Sequence, residues 1–461
     1  MKKNTNSGSS GVGSAKISMR EKISYGMGDA ACNIVVGLAG MLTFFYTDYV
    51  GVPVGIVGLI MLISRVFDGG SDVIMGLITD RTHSKYGKAR PWILRMCVPY
   101  AIACVLLFTV PAGGTQMVKA IYIFITYNLV QTVLYTAINL PYSSMAALMT
   151  RDQYERGTIN AIRMGISPFG RILATSATLP LVKLLGNDQR GWIIASAIYG
   201  IIALVLLLLC FFNCKERVHF EKQEKEKLPI GQSLLALLKN KYWAISLCLW
   251  GLLSVYMTLS STSLTYYCKY ILGNDLYSSP LYIAEEVPMI IVVFFIPVLL
   301  KKTGKRNLAL TGALICVASQ LLLMIDPSNI YYAALSAVFR GIGQAPLMGV
   351  IFSFIADSVE YGQWKTHLRL EGLIYSAASV GSKLGSGLTS AGISAILQAV
   401  GYDGSLATQS AATVNAINAI YVVGPMMVWG ITAVLLVFYQ LDRIYPRIMS
   451  ELQKRESCGQ L

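Results

Sequence analysis

Apolar stretches long enough to cross about 30 Å of hydrocarbon recur along the chain with short polar breaks between them. They fall near residues 23–50, 56–78, 91–111, 117–149, 158–181, 190–213, 241–266, 280–300, 308–326, 330–357, 372–399 and 416–440. The pattern predicts an all-α polytopic membrane protein with twelve transmembrane helices. The leader MKKNTNSGSSGVGSAK is polar and Gly/Ser-rich and has no apolar core of its own, so residues 1–20 read as a disordered tail and not a signal peptide.

The longest polar connection, 214–240, divides the pattern into six helices over 21–213 and six over 241–440, followed by a tail at 441–461. Composition agrees: 54% of residues are hydrophobic and 13% charged, against about 25% charged in soluble proteins. The formal charge of +14 could suggest nucleic acid, but its distribution argues for topology. Basic residues crowd alternate loops (Arg81, Lys85, Lys88, Arg90; Lys215, Arg217, Lys222; Lys301, Lys302, Lys305, Arg306), which puts both termini in the cytoplasm and requires an even number of spans. A plasma (inner) membrane location, a functional monomer and no nucleic-acid partner are expected. The nine cysteines have no repeated spacing and read as small hydrophobes.

A short pattern returns in the two halves. PYSSMAALMTRDQYE carries Pro141, Asp152 and Glu155, and PLMGVIFSFIADSVE carries Pro346, Asp357 and Glu360 at identical spacing. Each copy is expected to end the fourth helix of its half at the cytoplasmic face. Repeated halves suit a carrier whose two bundles rock around a central site. Asp80, Arg81 and Lys88, in DRTHSKYGKARPW at the exit of the second helix, read either as a latch between helices or as a topology anchor. With Asp152, Glu155, Asp357 and Glu360 they form the candidate gating set.

Asp68 and Asp72 interrupt the second apolar run one helical turn apart, so they share a face about 6 Å apart along the axis. An intramembrane acid costs at least about 2.5–3.5 kcal/mol and normally faces the bundle or an aqueous cavity. Two readings follow. The carboxylates, with Ser71 or backbone oxygens, could hold Na⁺ or a proton, in which case both are metal ligands if the ion is Na⁺. Alternatively they form structural salt bridges with Arg65, Arg163, Arg340 or Lys383. Lys383 follows Ser379 among small residues of the eleventh helix, and reads as a counter-ion to the acids or the ligand.

Asn33 and Asn139 are amides at membrane depth, able to donate and accept as a sugar hydroxyl does. Tyr46, Tyr135, Thr136, Ser143 and Arg163 lie near them in sequence and complete a set suited to a polyhydroxylated solute, unless the amides serve only to join helices. Asp29 is a secondary candidate. Soluble-enzyme signals are poor: GVGSAK lacks a flanking strand and helix, and the three histidines fall in separate loops. No enzyme activity and no cofactor beyond a coupling Na⁺ or H⁺ are expected.

SYGMGDAACNIVVG, FFYTDYVGV, RVFDGGSDVIMGLITDRTHSKYGKARPWI, INLPYSSMAALMTRD and IADSVEYGQWKTHLRLEG together resemble the glycoside–pentoside–hexuronide:cation symporters, the melibiose-permease branch of the major facilitator fold. The resemblance spans nearly all of 20–440. It implies a cation site at Asp68 and Asp72 with Lys383 beside it, and a sugar site at Asn33, Tyr46, Tyr135, Thr136, Asn139, Ser143 and Arg163. Asn33 and Asn139 stand where the family's melibiose carrier has acids, Ser143 where it has a Trp, and Cys32 where it has a Lys. Those departures turn the expected cargo from an α-galactoside towards a pentoside or xylo-oligosaccharide, with a glucuronide next. A lipid or amphiphile transporter and a non-transporting sensor of the same fold are the alternative classes.

Overall fold

The computed structural model describes residues 17–82, 84–150, 153–218, 237, 239–366, 371–406 and 408–457, and all regular structure among them is helical. α1 (Met19–Phe44) begins at Ser18, whose hydroxyl accepts from the Glu21 amide at 3.3 Å, half of a Ser-x-x-Glu cap. The Glu21 carboxylate turns instead to Arg217 at 2.8 and 2.9 Å, which ties the start of α1 to the segment leaving the sixth helix. A π turn, Phe45–Tyr49, closes α1.

The chain continues as α2 (Val54–Arg81), α3 (Arg90–Leu106) and α4, which runs through Gln116–Tyr127, a π segment Asn128–Leu134 and Tyr135–Met149. α5 (Gln153–Leu184) and α6 (Gln189–Asn213) precede the central connection. Beyond it come α7 (Lys241–Tyr270), α8 (Ser278–Thr303), α9 (Lys305–Ile325), α10 (Ile330–Thr366) and α11 (Glu371–Ala399). α12 is built from Ala411–Asn418, a π segment Ala419–Val423 and Gly424–Phe438, and α13 (Leu441–Ser457) ends the described chain. Side chains cap several starts, as Thr115, Asp188, Asn240 and Ser410 each accept a first-turn amide.

Nine of these rods among the described residues are long and apolar enough to cross a membrane, fewer than the twelve that the apolar runs predict. The other three differ for visible reasons. α3 has 17 residues, α5 carries Arg163 and Arg171, and α11 is diluted by Ser and Gly. α5 and α11 are polar because they face other helices, where intramembrane polarity is tolerated.

α1 packs on α5 and α6, and α3 on α6; α8 and α9 pack on α10, α7 on α11, and α9 on α12. Helices from before and after the central connection meet at α2–α11, α5–α8 and α1–α7. Along the first seam the helices are antiparallel, with Gly55 against Gln398, Gly58 against Ser394 and Gly387 against the stem of Arg65. Gly170 allows the closest α1–α5 approach: a Cβ there would stand 2.1 Å from the Ala30 carbonyl oxygen.

The repeated Pro…Asp…Glu pattern does not occupy equivalent places. Its second copy lies wholly inside α10, whereas in the first Pro141 is in α4 and Glu155 is in the first turn of α5. The expected placement at the end of the fourth helix is thus corrected for the first copy, because the helix breaks at Thr150, whose backbone is extended.

Candidate functional site

Asp68 and Asp72 point from α2 towards α4 and α11. Asp68 is buried; its oxygens accept from Arg65, one turn back on the same helix, at 3.1 Å and from Thr132 at 2.5 Å. Asp72 accepts from Thr136 at 3.2 Å and from the ammonium of Lys383 on α11. Ser71 donates to the Thr132 carbonyl at 2.6 Å and so is occupied with backbone. The π segment of α4 decides which hydroxyls face α2: one extra residue per turn brings Thr132 to Asp68, while Asn128 bonds Ser64 at 2.8 Å. Each acid therefore has one cation and one hydroxyl. Asp68, the more buried of the two acids, is the more costly to leave without its cation, since both side chains of the Asp72–Lys383 pair keep 30% exposure.

A second cluster joins α1 and α5. Asn33 donates to Ser167 at 2.8 Å and to the Asp29 carbonyl at 3.0 Å, and Arg163 pairs with the buried Asp29 carboxylate at 3.2 Å. The Arg163 guanidinium lies over the Tyr142 ring at 5.8 Å, and Tyr142 stacks on Tyr25. Asn139 is half-buried and Ser143 exposed on the following turn of α4, the Ser143 hydroxyl donating to the Asn139 carbonyl at 2.8 Å. Tyr135 is half-buried at the start of the last stretch of α4, just after its π segment. Tyr46 is set apart from the others. It is fully buried, its phenol donates to the Leu107 carbonyl at 3.1 Å, and its ring packs on Phe45 in the core.

Among the gating candidates, Glu155 pairs with Lys22 at 2.7 Å, Asp357 with Lys305 at 2.6 Å, and Glu360 accepts from Tyr445 of α13. The Lys88 amide donates to Glu216 at 2.8 Å, and Arg81 is exposed at the end of α2. Asp152 and the side chains of Asp80 and Ser379 lie outside the described residues.

Several polar groups escaped the sequence reading. Asp48, in the π turn after α1, is gripped by Lys269 at 2.5 Å, Tyr402 at 2.7 Å and Tyr270 at 3.2 Å. Nearby, Lys183 pairs with Asp275 at 2.5 Å, so two ion pairs close this end between elements from before and after the central connection. A cavity of about 140 Å³ lies between α1, α5, α7, α8 and α10. At it one terminal guanidinium nitrogen of Arg171 donates to both carboxylate oxygens of Glu286, at 2.7 and 2.8 Å. Beside it Glu285 pairs with Arg340 at 3.0 Å and accepts from Tyr256 at 2.5 Å. Arg340 in turn donates to Tyr421, which stands in the π segment of α12. Adjacent acids in the run YIAEEVPMII were a visible signal for this cluster; Asp48, at the end of a span, gave none.

The three π segments thus contribute Asp48, Thr132 and Tyr421, each bonded to a charged partner. Long apolar helices joined through paired buried charges around an internal cavity are the build of a polytopic membrane protein. The MFS/sugar transport protein family model matches residues 24–443, and the chain belongs to that family. It is 34% identical over 444 residues to the isoprimeverose transporter of Lactiplantibacillus pentosus, covering 95% of this chain and 92% of that one. It is 31% identical to the inner membrane symporter YicJ of Escherichia coli (strain K12), over 91% of each chain. Among solved structures, a bacterial homolog of the human lysosomal transporter Spinster superposes with a TM-score of 0.60 at 14% identity, over 95% of this chain and 97% of that one. The protein is accordingly a secondary-active transporter of small polar solutes with the MFS fold, and not a catalyst.

Proposed function

We propose that the protein is a cation-coupled glycoside symporter of the glycoside–pentoside–hexuronide type. In this reading twelve helices span the plasma membrane in two six-helix bundles, with both termini cytoplasmic, and the carrier works by alternating access. The observation that carries the reading is the pair Asp68 and Asp72, one turn apart inside the membrane and bonded to two different cations, Arg65 and Lys383. A Na⁺ or H⁺ arriving at this pair competes with Lys383 for Asp72. The released ammonium loosens the α2–α11 seam, which couples ion binding to movement of one bundle against the other.

The cargo meets Asn33, Arg163 and Asn139. Amides donate as well as accept, which supports a pentoside or xylo-oligosaccharide, with a glucuronide next. The relative's name supports including isoprimeverose among the solutes tested. Proteoliposomes given radiolabelled xylosides, isoprimeverose, glucuronides and galactosides under separately imposed Na⁺ and proton gradients test the proposal. Asp68→Asn and Asp72→Asn should abolish uphill accumulation and leave downhill exchange. Accumulation that survives both substitutions would overturn the coupling scheme.

A further inference from the structure

Arg65, Arg163, Arg171, Arg340 and Lys383 stand inside helix spans, and each pairs with a carboxylate. Arg95 differs from all of them. It lies in α3, RPWILRMCVPYAIACVL, five residues or about 7.5 Å beyond Arg90, and it is exposed. Among the described residues it makes no hydrogen bond or ion pair, and its guanidinium lies over the Trp92 ring at 5.7 Å. An arginine at this depth is costly until an anion meets it, and the protein supplies none.

Trp92 is held in place. Its indole N–H donates to the Thr82 hydroxyl at 2.9 Å, and that hydroxyl donates to the Ile78 carbonyl at 2.7 Å. A guanidinium stacked on a ring keeps its in-plane N–H groups free, and those groups match phosphate oxygens two at a time. The surface beyond Arg95 is apolar. Val98 is 49% and Ile102 57% exposed, three and seven residues further on and hence on the same side of α3. α6 packs so closely here that a Cβ on Gly200 would stand 2.9 Å from the Ala101 carbonyl oxygen, and α6 exposes Val205, Leu209 and Phe212. A ligand that suits both parts carries a phosphate for Arg95 and hydrocarbon for Val98 and Ile102, which is the build of a phospholipid in the leaflet on the side of the central connection.

The surrounding charge selects the headgroup. Lys85 and Tyr86 are exposed in the connection before α3, with the Lys85 ammonium over the Tyr86 ring at 5.1 Å and Tyr86 edge-on to Phe211 of α6 at 5.3 Å. Arg90 lies over the Phe211 ring at 4.9 Å and donates to the Phe211 carbonyl at 2.8 Å. Glu216 reaches this end, but its carboxylate is taken up by the amides of Lys88, Ala89 and Arg90 at 2.8 to 2.9 Å. The balance is positive, so a headgroup with its own ammonium is disfavoured and one with a net negative charge is held.

We propose that Arg95, stacked on Trp92, anchors the headgroup of one anionic phospholipid, whose acyl chain lies along Val98 and Ile102. The site stands apart from the glycoside reading, which uses α1, α2, α4, α5 and α11, and does not depend on it.

Native mass spectrometry of the full-length carrier in detergent, titrated with phosphatidylglycerol, phosphatidylcholine or glycerol 1-phosphate, tests the site. The wild type should retain one phosphatidylglycerol with an affinity about tenfold above that for phosphatidylcholine. Arg95→Gln should reduce this preference to about twofold or less, and Arg95→Lys, which keeps the charge but loses the fork, should fall between. Arg447→Gln on α13, where the side chain is 79% exposed, is the control for general surface charge and should leave the preference unchanged. Equal retention of the two lipids, an Arg95→Gln variant that binds like the wild type, or an equal loss in Arg447→Gln overturns the site. Displacement of the lipid by glycerol 1-phosphate at equal concentration assigns the site to a soluble anion and overturns the lipid. If Arg95→Gln fails to insert, Arg95→Lys decides alone, and a preference equal to that of the wild type overturns the site.

Discussion

Lys383 on α11 and Asp72 on α2 share a charged hydrogen bond across the antiparallel seam, while Thr136 of α4 holds the other carboxylate oxygen. Both side chains keep 30% exposure, so the pair is accessible without unpacking the helices. That exposure also reduces its worth below the roughly 3–5 kcal/mol lost on breaking a fully buried pair. A double-mutant cycle of Asp72→Asn and Lys383→Gln, read by thermal unfolding of the purified protein, should give a coupling of about 1–2 kcal/mol. Additive effects would mean that the pair is not formed in solution.

Asp48 lies at the opposite extreme, with 2% of its side chain exposed and three donors from residues beyond the central connection. Asp48→Asn keeps the shape but removes the charge that holds Lys269. Losing about 1.4 kcal/mol of closure shifts the closed-to-open ratio tenfold. Met257→Cys in the cavity wall, labelled by an impermeant maleimide from the Asp48 side, should react about tenfold faster in the Asp48→Asn background. Unchanged labelling would show that these bonds do not set the closed state.

Gly170 supplies a steric test of the α1–α5 contact. A Cβ would come within 2.1 Å of the Ala30 carbonyl oxygen, a backbone atom that cannot turn aside. Gly170→Val should destabilise by about 1–3 kcal/mol or more and displace Asp29 from Arg163. Gly430 of α12 has no atom within 4 Å of an added Cβ, and Gly430→Ala should be neutral or gain about 0.5–1 kcal/mol. Melting temperatures of the two variants that move together would contradict this packing.

At the surface, Glu451 of α13 accepts from Trp364 at 2.6 Å and from Arg447 at 2.9 Å. The Trp364 bond first, and then Arg447, hold its carboxyl below the ordinary value of 4.5. A depressed carboxylate stabilises docking above its unfolded value and ceases to do so as pH falls through its folded one. The docking of α13 on α10 should therefore be intact above about pH 4.5 and weaken below it. Protection from hydrogen exchange over residues 441–457, taken relative to the intrinsic rate at each pH, should fall on that acidification, and Glu451→Gln should show the lower protection at every pH.

Much of the fold was legible because a backbone in hydrocarbon must bond itself, so apolar runs of sufficient length become helices wherever they occur. Hydropathy was a weaker guide for α3, α5 and α11, whose shortness or polarity only makes sense beside the helices they pack on. For the site, intramembrane acids announced themselves by their cost. Asp68, Asp72, Arg163 and Lys383 could be singled out on that ground, and Glu285 and Glu286 could have been. Tyr46 could not be sorted from its neighbours, since a core tyrosine and a cavity tyrosine look the same in a one-dimensional pattern. Asp48 could not either, since an acid at a span end is cheap in the interface.

The amino-acid sequence by itself determined the helical class, the order of the helices and the presence of charges that need neutralising at membrane depth. These depend on local desolvation, which each stretch of chain feels alone. Only the tertiary structure decided which charges meet. Lys383 finds Asp72 across 311 residues, Arg171 finds Glu286 across 115, and Lys269 finds Asp48 across 221. The choice among several basic residues for each acid follows from helix crossings set by Gly55, Gly58, Gly170 and Gly387, and from π segments that turn Asp48, Thr132 and Tyr421 towards their partners. Such contacts are properties of packing between distant segments, and nothing in the spacing along one helix contains them.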